Sequence, residues 1–319
     1  MLENSATNLI LNSQRISLTP TKNGTFTDDF AISPDGTQNA TKLTATDTDP
    51  YFYQSVSFSA GSYTASIYVK GIGNSIGKDF QIRLGTNIYT DVIPSEWTRF
   101  EYTATMTSGS VSAGLEIPNP AVSGDEVLVW GWQIEANSFA TSYIPTSGST
   151  YQRQADVVNG SGNSEVFNDS EGVLFFNLNT LDTSSVPVFS LSDGTFSNEI
   201  EFAYYGTNQW NVISRVGGAN TSVVGTVNGD AYSKFLVSYT SSNFKVFLNG
   251  FLIGSNTMAS AFSGLKKINF SYPDEANPFY GKTKEIGYYD ATLTDSELEY
   301  LTSYRSLNEL VTELNLNTL

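Results

Sequence analysis

The chain contains no cysteine and no histidine among its 319 residues. Without cysteine it has no disulfide staple, no thiolate metal site and no thiol nucleophile, and its redox compartment stays open. Without histidine it has neither Ser-His-Asp nor Cys-His catalysis nor His-ligated zinc, and it lacks the side chain most often used to move protons near neutral pH. Any chemistry falls to carboxylates, Lys or Tyr. Charge is sparse, at 15% of residues, and cations are the scarcer sign: 16 Lys+Arg against 32 Asp+Glu leave a net charge of −16. A phosphate backbone would be repelled over most of such a surface, which argues against nucleic acid as a partner. A neutral polymer such as a glycan, or a protein, remains compatible with it. No run of about 18 apolar residues occurs, so no membrane span is expected. Met1-Leu2-Glu3-Asn4-Ser5-Ala6-Thr7 carries no basic stretch followed by an apolar run, so no signal peptide is expected and synthesis in a cytoplasm is.

What the chain does have is 18 Tyr and 20 Phe set among Thr, Ser, Asn and Gly, the usage of pleated, half-exposed surfaces, which predicts an all-β fold. Its length suits two domains, each large enough to bury its own core. Residues 1–150 read as short strands between the turn signals Asn23-Gly24, Ser33-Pro34-Asp35-Gly36, Asp49-Pro50 and Gly71-Ile72-Gly73. Tyr63, Ala65, Ile67 and Val69 alternate with Thr64, Ser66, Tyr68 and Lys70, which predicts one core-facing and one solvent-facing row. Phe80, Ile82 and Leu84 repeat the device. Leu128, Trp130, Trp132 and Ile134 read as a third such face, with a bulge or a close backbone approach at Gly131.

From 145 to 170 large apolar residues become scarce, as in Pro145-Thr146-Ser147-Gly148-Ser149-Thr150 and Asn159-Gly160-Ser161-Gly162-Asn163-Ser164, and a domain boundary is expected there. Strand signals resume at Gly172 to Leu178. Phe244 to Leu248 and Phe251 to Ser255 flank Asn249-Gly250, the preferred pair for a type I′ hairpin. Thr294-Asp295-Ser296-Glu297 has capping-box spacing, and Leu298, Leu301, Tyr304, Leu307, Leu310 and Leu314 follow at helical intervals. That helix either packs on the sandwich or forms a short seam between subunits. The expectation is two tandem antiparallel β-sandwiches of jelly-roll type, residues 1–155 and 156–304, with a short C-terminal helix and a tail or helix extension over 305–319.

Asn8-Leu9-Ile10-Leu11-Asn12-Ser13, Ser33-Pro34-Asp35-Gly36-Thr37, Trp97-Thr98-Arg99-Phe100 and Val129 to Thr146, above all Ala140-Thr141-Ser142-Tyr143-Ile144-Pro145-Thr146, resemble the carbohydrate-binding-module-like jelly rolls of phage tail and head-fibre proteins. The second half resembles the concanavalin A-like lectin or laminin G-like fold, through Lys234 to Tyr239, Lys245 to Gly254, Phe279-Tyr280-Gly281-Lys282 to Asp290, and Leu293 to Leu298. Where such relatives usually carry Trp-His, this chain has Ser233-Lys234-Phe235. The resemblance implies a phage virion component, a head or tail fibre or decoration protein. It would be freed with the particle by lysis, attach to other virion proteins or to its own homotrimer partners through the first sandwich, and engage a host-surface glycan through the displayed second. The competing readings are a purely structural decoration protein without a glycan ligand and a glycan depolymerase.

Sugars stack on aromatic rings while amides and acids bond their hydroxyls. Tyr51, Phe52, Tyr53, Tyr89 and Trp97 are candidates for such a platform in the first half, although Trp97, Trp130 and Trp132 stand at positions that pack the core in similar modules. In the second half Tyr204, Tyr205, Asn208, Gln209 and Trp210 form an aromatic, amide-rich candidate loop, as do Tyr272, Pro273, Asp274 and Glu275. Solvent-facing loop tips are the plain alternative. A structural calcium ion would look to Asp28, Asp29, Asp125 and Glu126, which lack the ordered spacing of a calcium loop. Glu199 and Glu201 alternate onto one strand face, a spacing used by concanavalin A-like hydrolases, and are the one carboxylate pair to weigh for catalysis.

Overall fold

Alternation with a period of two residues sets the layers, because each strand sends successive side chains to opposite faces of its sheet. The computed structural model describes residues 1–46, 48–117, 121–180, 186–206, 209–226 and 233–303. Contacts divide the chain into two units, Ser5–Ala155 and Met1–Asn4 with the residues from Asp156 on. Met1–Asn4 join the second unit through an antiparallel bridge in which Leu2 and Gly281 exchange backbone hydrogen bonds of 2.7 and 2.9 Å. No described helix is long and apolar enough to cross a membrane.

The first unit holds β1 (Ala6–Asn8), β2 (Thr21–Asn23), β3 (Thr25–Ile32), β4 (Gln38–Thr44), β5 (Tyr51–Phe58) and β6 (Gly61–Ile72). It continues with β7 (Asp79–Leu84), β8 (Asn87–Val92), β9 (Thr98–Met106), β10 (Gly109–Glu116), β11 (Glu126–Glu135) and β12 (Tyr151–Arg153). Two five-stranded antiparallel sheets, β2-β5-β10-β7-β8 and β3-β4-β11-β6-β9, form the sandwich, and β1 pairs with β12. Tyr63, Ala65, Ile67 and Val69 face the core, as do Phe80, Ile82 and Leu84.

The row expected from Leu128 to Ile134 is not one face. The β11–β6 register slips between Trp130 and Gln133, and Gly131 takes φ +68°, a value that suits a residue without Cβ. This bulge turns Trp130 to the outer side and leaves Val127, Val129, Trp132 and Ile134 in the core. Both indoles are nonetheless buried.

Trp130 is covered by the stretch after β11. Tyr143 sits with its ring centroid 4.4 Å from that of Trp130, and its hydroxyl shares a 2.6 Å hydrogen bond with Ser13 Oγ. The Ile144 amide donates to Gln133 Oε1 at 2.6 Å, and Thr146 and Ser13 exchange amide-to-hydroxyl bonds of 2.8 and 3.0 Å. Asn8 closes the arrangement. Its Nδ2 donates to the carbonyls of Trp132 and Ile144, and its Oδ1 accepts from the amides of Ile10 and Ile134.

The second unit holds β13 (Glu171–Thr180), β14 (Val188–Ser192), β15 (Glu199–Tyr204), β16 (Gln209–Val216) and β17 (Ala219–Thr226). After them come β18 (Ser233–Thr240), β19 (Asn243–Leu248), β20 (Phe251–Thr257), β21 (Lys267–Asn269), β22 (Gly281–Tyr289) and α1 (Asp295–Thr302). The sheets β20-β19-β18-β13-β22 and β17-β16-β15-β14-β21 are again antiparallel. Between them Phe176 meets Phe189 and Phe202 edge-on, at 4.3 and 4.4 Å between centroids.

Asn249 and Gly250 make the expected hairpin turn, with φ +49° and +90°. The capping box forms as its spacing predicts: the Glu297 amide donates to Thr294 and the Thr294 amide to Glu297. Leu298 of α1 packs over Val173, Phe175, Leu236 and Phe247 on the outer side of the first of these sheets. Tyr304, Leu307, Leu310 and Leu314, proposed as its continuation, lie outside the described residues.

Asn8→Ala would leave four buried backbone groups without their partner. The first sandwich should lose roughly 2–4 kcal/mol in urea unfolding followed by Trp130 and Trp132 fluorescence. A loss within about 0.5 kcal/mol would contradict the clamp.

Candidate functional site

Tyr51 and Tyr53 lie on the outer face of the first sandwich because β5 sends Phe52, Val56 and Phe58 into the core and leaves Tyr51, Tyr53, Ser55 and Ser57 outside. Their rings are near-parallel, 21° apart with centroids separated by 4.8 Å. Register then fixes the neighbours. Across β10 and β7, Tyr51 is followed by Glu116 and Gln81, and Tyr53 by Gly114 and Arg83. The Tyr53 hydroxyl donates to Glu116, Arg83 pairs with Glu116 at 2.5 Å and donates to Gln81 Oε1 at 3.2 Å. Burial and the bond to Glu116 push the Tyr53 pKa up, so it remains a donor. Arg83 Nε is buried and makes no hydrogen bond.

Glycine at 114 is a steric requirement. A Cβ there would stand 1.8 Å from the Phe52 carbonyl oxygen and 2.5 Å from a ring carbon of Tyr53. Bare backbone at this point lets the Tyr53 ring lie across the neighbouring strand. The result is an aromatic pair, an acid, a guanidinium and an amide on a face otherwise furnished with small side chains such as Ser55, Ser57, Ser110 and Ser112.

The other expected platform residues part company with this pair. Tyr89 stands opposite the inward Ile82, so it packs at the core edge against Tyr102, with centroids 5.7 Å apart, and donates its hydroxyl to Asp91. Trp97 is half-buried, with its Nε1 donating to the Ile32 carbonyl at 3.0 Å. Tyr204 and Trp210 are corrected outright: each is 2% exposed, inside the core of the second sandwich, with ring centroids 5.2 Å apart. They share the inward parity of Ile200, Phe202 and Val212 and cannot face a ligand in solvent. Tyr205, one residue past the strand, is exposed. Asn208 lies outside the described residues.

Arg83, Gln81 and Glu116 had no signal in the sequence short of the strand pairing itself, since they converge only once β5, β10 and β7 lie side by side. The same is true of Arg215. It stands opposite Glu199 across the β15–β16 hairpin and pairs with both Glu199 and Glu201, the latter at 2.7 Å. Both carboxylates are buried. Glu199 Oε2 accepts no hydrogen bond. The segment after β21 lies against this face: Ser190 Oγ donates to the Ser271 carbonyl at 2.7 Å and Lys267 Nζ to that of Pro273 at 3.1 Å. Tyr272 is held there by a ring contact with Phe196, and its pKa is pushed up to about 12 by burial and then by Glu201. Two acids on one cation inside a closed face do not form the open pair that a hydrolase presents to water and sugar.

The acids weighed for calcium are separately engaged. Asp28 accepts from Ser17 and Thr41, Asp29 pairs with Arg15 at 3.3 Å, Asp125 with Lys78 at 2.5 Å and Glu126 with Lys42 at 2.6 Å. Among the described residues no group of three or more acids could hold a metal ion.

Burial pushes the Glu201 pKa up to about 7. The folded state therefore keeps a proton that the unfolded chain has released, and stability falls as pH rises from the usual carboxylate range to about 7, then levels. Urea titrations at about pH 5 and about pH 8 should differ by on the order of 2–3 kcal/mol from this group, and Glu201→Gln should flatten that difference. An unchanged pH dependence in the variant would refute the assignment.

Residues 173–299 match the family model described as the concanavalin A-like lectin/glucanases superfamily. No curated protein matches the chain in sequence. Among solved structures, the sialidase module CBM40 of Ruminococcus gnavus bound to α2,3 sialyllactose is 16% identical, with 47% of this chain and 97% of that one covered and a TM-score of 0.39. A putative carbohydrate binding protein from Bacteroides ovatus is 12% identical over 79% of each chain, with a TM-score of 0.34. Domains LG4-5 of the mouse laminin α1 chain are 8% identical over 84% of this chain and 92% of that one, with a TM-score of 0.32. The family match runs from β13 into α1 and covers less than half of the chain. The second sandwich has a concanavalin A-like, laminin G-like fold.

Proposed function

We propose that this chain is a non-enzymatic glycan-binding protein of a phage particle, a fibre or decoration protein that engages host-surface carbohydrate through the outer face of its first sandwich. The observation that carries the reading is the near-parallel Tyr51–Tyr53 pair beside the Tyr53–Glu116–Arg83–Gln81 chain. Aromatic rings take the apolar C–H side of a sugar, and the acid, guanidinium and amide bond its hydroxyls. Arg83 and Glu116 offset each other, which suits a neutral ligand. The net charge of −16 favours the same class over an anionic polymer. The lectin-like fold of the second sandwich and the tie of Glu199 and Glu201 to Arg215 support binding over hydrolysis. The particle setting, with homotrimers and contacts to other virion proteins, rests on the resemblance carried by Asn8 to Ser13 and Val129 to Thr146.

The test is binding of the full chain to a glycan array and to host cells. Wild type should bind a carbohydrate saturably, and Tyr51→Ala should weaken it roughly tenfold, the loss of one ring contact. Antibody against the chain should label intact particles. No saturable binding by wild type, or equal binding by Tyr51→Ala, would sink the face assignment, and unlabelled particles would sink the setting.

A further inference from the structure

A tight turn and a crossing between sheets make a second concavity on the first sandwich. Leu84 and Asn87 pair across the two-residue turn Gly85-Thr86, and Gly85 takes φ +63° so close to Val111 that a Cβ would stand 3.2 Å from it. β9 belongs to one sheet and β10 to the other, so Thr107-Ser108 between them crosses the end of the sandwich. The Ala60 amide donates to Ser108 Oγ at 3.1 Å and holds that crossing in place. Between the turn and the crossing lies a pocket of about 400 Å³, within the size range of small-molecule sites.

The floor of the pocket is the end of the core: Leu84 and Met106 are buried, and Val111 packs against the same cluster. Around it stand Thr86, Asn87, Thr107, Ser108 and Ser110, and no residue lining the pocket carries a charge. An apolar floor under hydroxyls and an amide matches a neutral pyranose, which has C–H groups on its faces and hydroxyls around its edge. An ion would find no counter-charge here. The Asn87 amide donates to Met106 Sδ at 3.5 Å, and a thioether is a weak acceptor that a sugar hydroxyl would replace with gain. Ser110 belongs both to the pocket and to the face that carries Tyr51 and Tyr53. On that face Tyr53 stands opposite Gly114, Ser55 opposite Ser112 and Ser57 opposite Ser110, a run of roughly 13 Å along the strands. The Ser55 and Ser57 hydroxyls lie 3.0 and 3.4 Å from that of Ser110, so only small polar side chains floor the path.

We propose that this pocket is a second sugar subsite, which seats one neutral pyranose of an oligosaccharide whose neighbouring units follow the serine rows to Tyr51 and Tyr53. The inference rests on the glycan-binding reading of that face and adds a length preference to it. An oligosaccharide long enough to reach both places is held at two points at once, and a single sugar at one.

The chain holds only three methionines, Met1, Met106 and Met258, so NMR of isotope-labelled methionine methyl groups reports on the pocket directly. The full chain is titrated with the methyl glycosides of glucose, galactose, mannose, rhamnose and N-acetylglucosamine, and with linear oligosaccharides of the same sugars. Met106→Leu assigns the signal. At least one methyl glycoside should shift the Met106 signal saturably while that of Met258, in the core of the second sandwich, stays in place. Asn87→Ala should weaken this binding roughly fivefold, the loss of one hydrogen-bond donor. The oligosaccharide of the same sugar should bind roughly tenfold more tightly than its methyl glycoside, and Tyr51→Ala should remove that gain while leaving the Met106 shift. A Met106 signal that no sugar moves, or that moves only in linear proportion to concentration, would overturn the pocket, and Tyr51-dependent oligosaccharide binding would then leave the face reading standing. A saturable Met106 shift with oligosaccharide binding indifferent to Tyr51→Ala would remove the face and with it the linked site. A sialylated sugar that moves the signal more strongly than every neutral one would overturn the neutral class.

Discussion

Two facing sheets leave a gap about 10 Å wide, and only inward side chains fill it. With no disulfide to share the burden, the cohesion of each sandwich rests on that filling. Tyr and Phe do much of it: Phe176, Phe189, Phe202, Phe235 and Trp210 form a connected set of rings in the second unit, and Phe52, Phe80 and Trp132 sit in the core of the first. The parity of each strand is therefore not negotiable, since a one-residue slip would exchange these rings for Ser, Thr and Glu. What remains outside is a consequence. Tyr51 and Tyr53 are on the surface because Phe52 is not.

Where parity is regular, the sequence could be read directly. The alternation from Tyr63 to Val69, the Asn249-Gly250 turn and the Thr294–Glu297 cap all follow from local pattern, because spacing and turn chemistry are local properties. Parity fails to read where a bulge intervenes. Gly131 inserts one residue into β11, and Trp130 and Trp132 part to opposite sides although their spacing says otherwise. Tyr204 and Trp210 fail for another reason. A cluster of aromatics near a turn looks like a platform, but both residues still sit within strands and share the inward parity of their neighbours. Tyr205, just past the strand end, does not.

The site itself was half legible. Its aromatic pair follows from the alternation of β5, whereas Glu116, Gln81 and Arg83 come from strands distant in sequence and are aligned only by pairing. No single-chain pattern encodes which strand lies beside which. Gly114 shows how tight that alignment is, because the position opposite Tyr53 accepts no side chain at all.

The two buried carboxylate groupings differ in how their charge is met. On the first sandwich the buried Glu116 meets one guanidinium and one phenol, so its charge and hydrogen-bonding needs are met within the face. On the second, Glu199 and Glu201 share Arg215, leaving one negative charge too many for a buried site. Burial raises the Glu201 pKa to about 7, so this carboxyl holds its proton well above the usual carboxylate range. Tyr272 and the segment after β21 lie against that face. A cluster that looks like paired catalytic acids in the sequence thus stands in the fold as a buried group tied to Arg215.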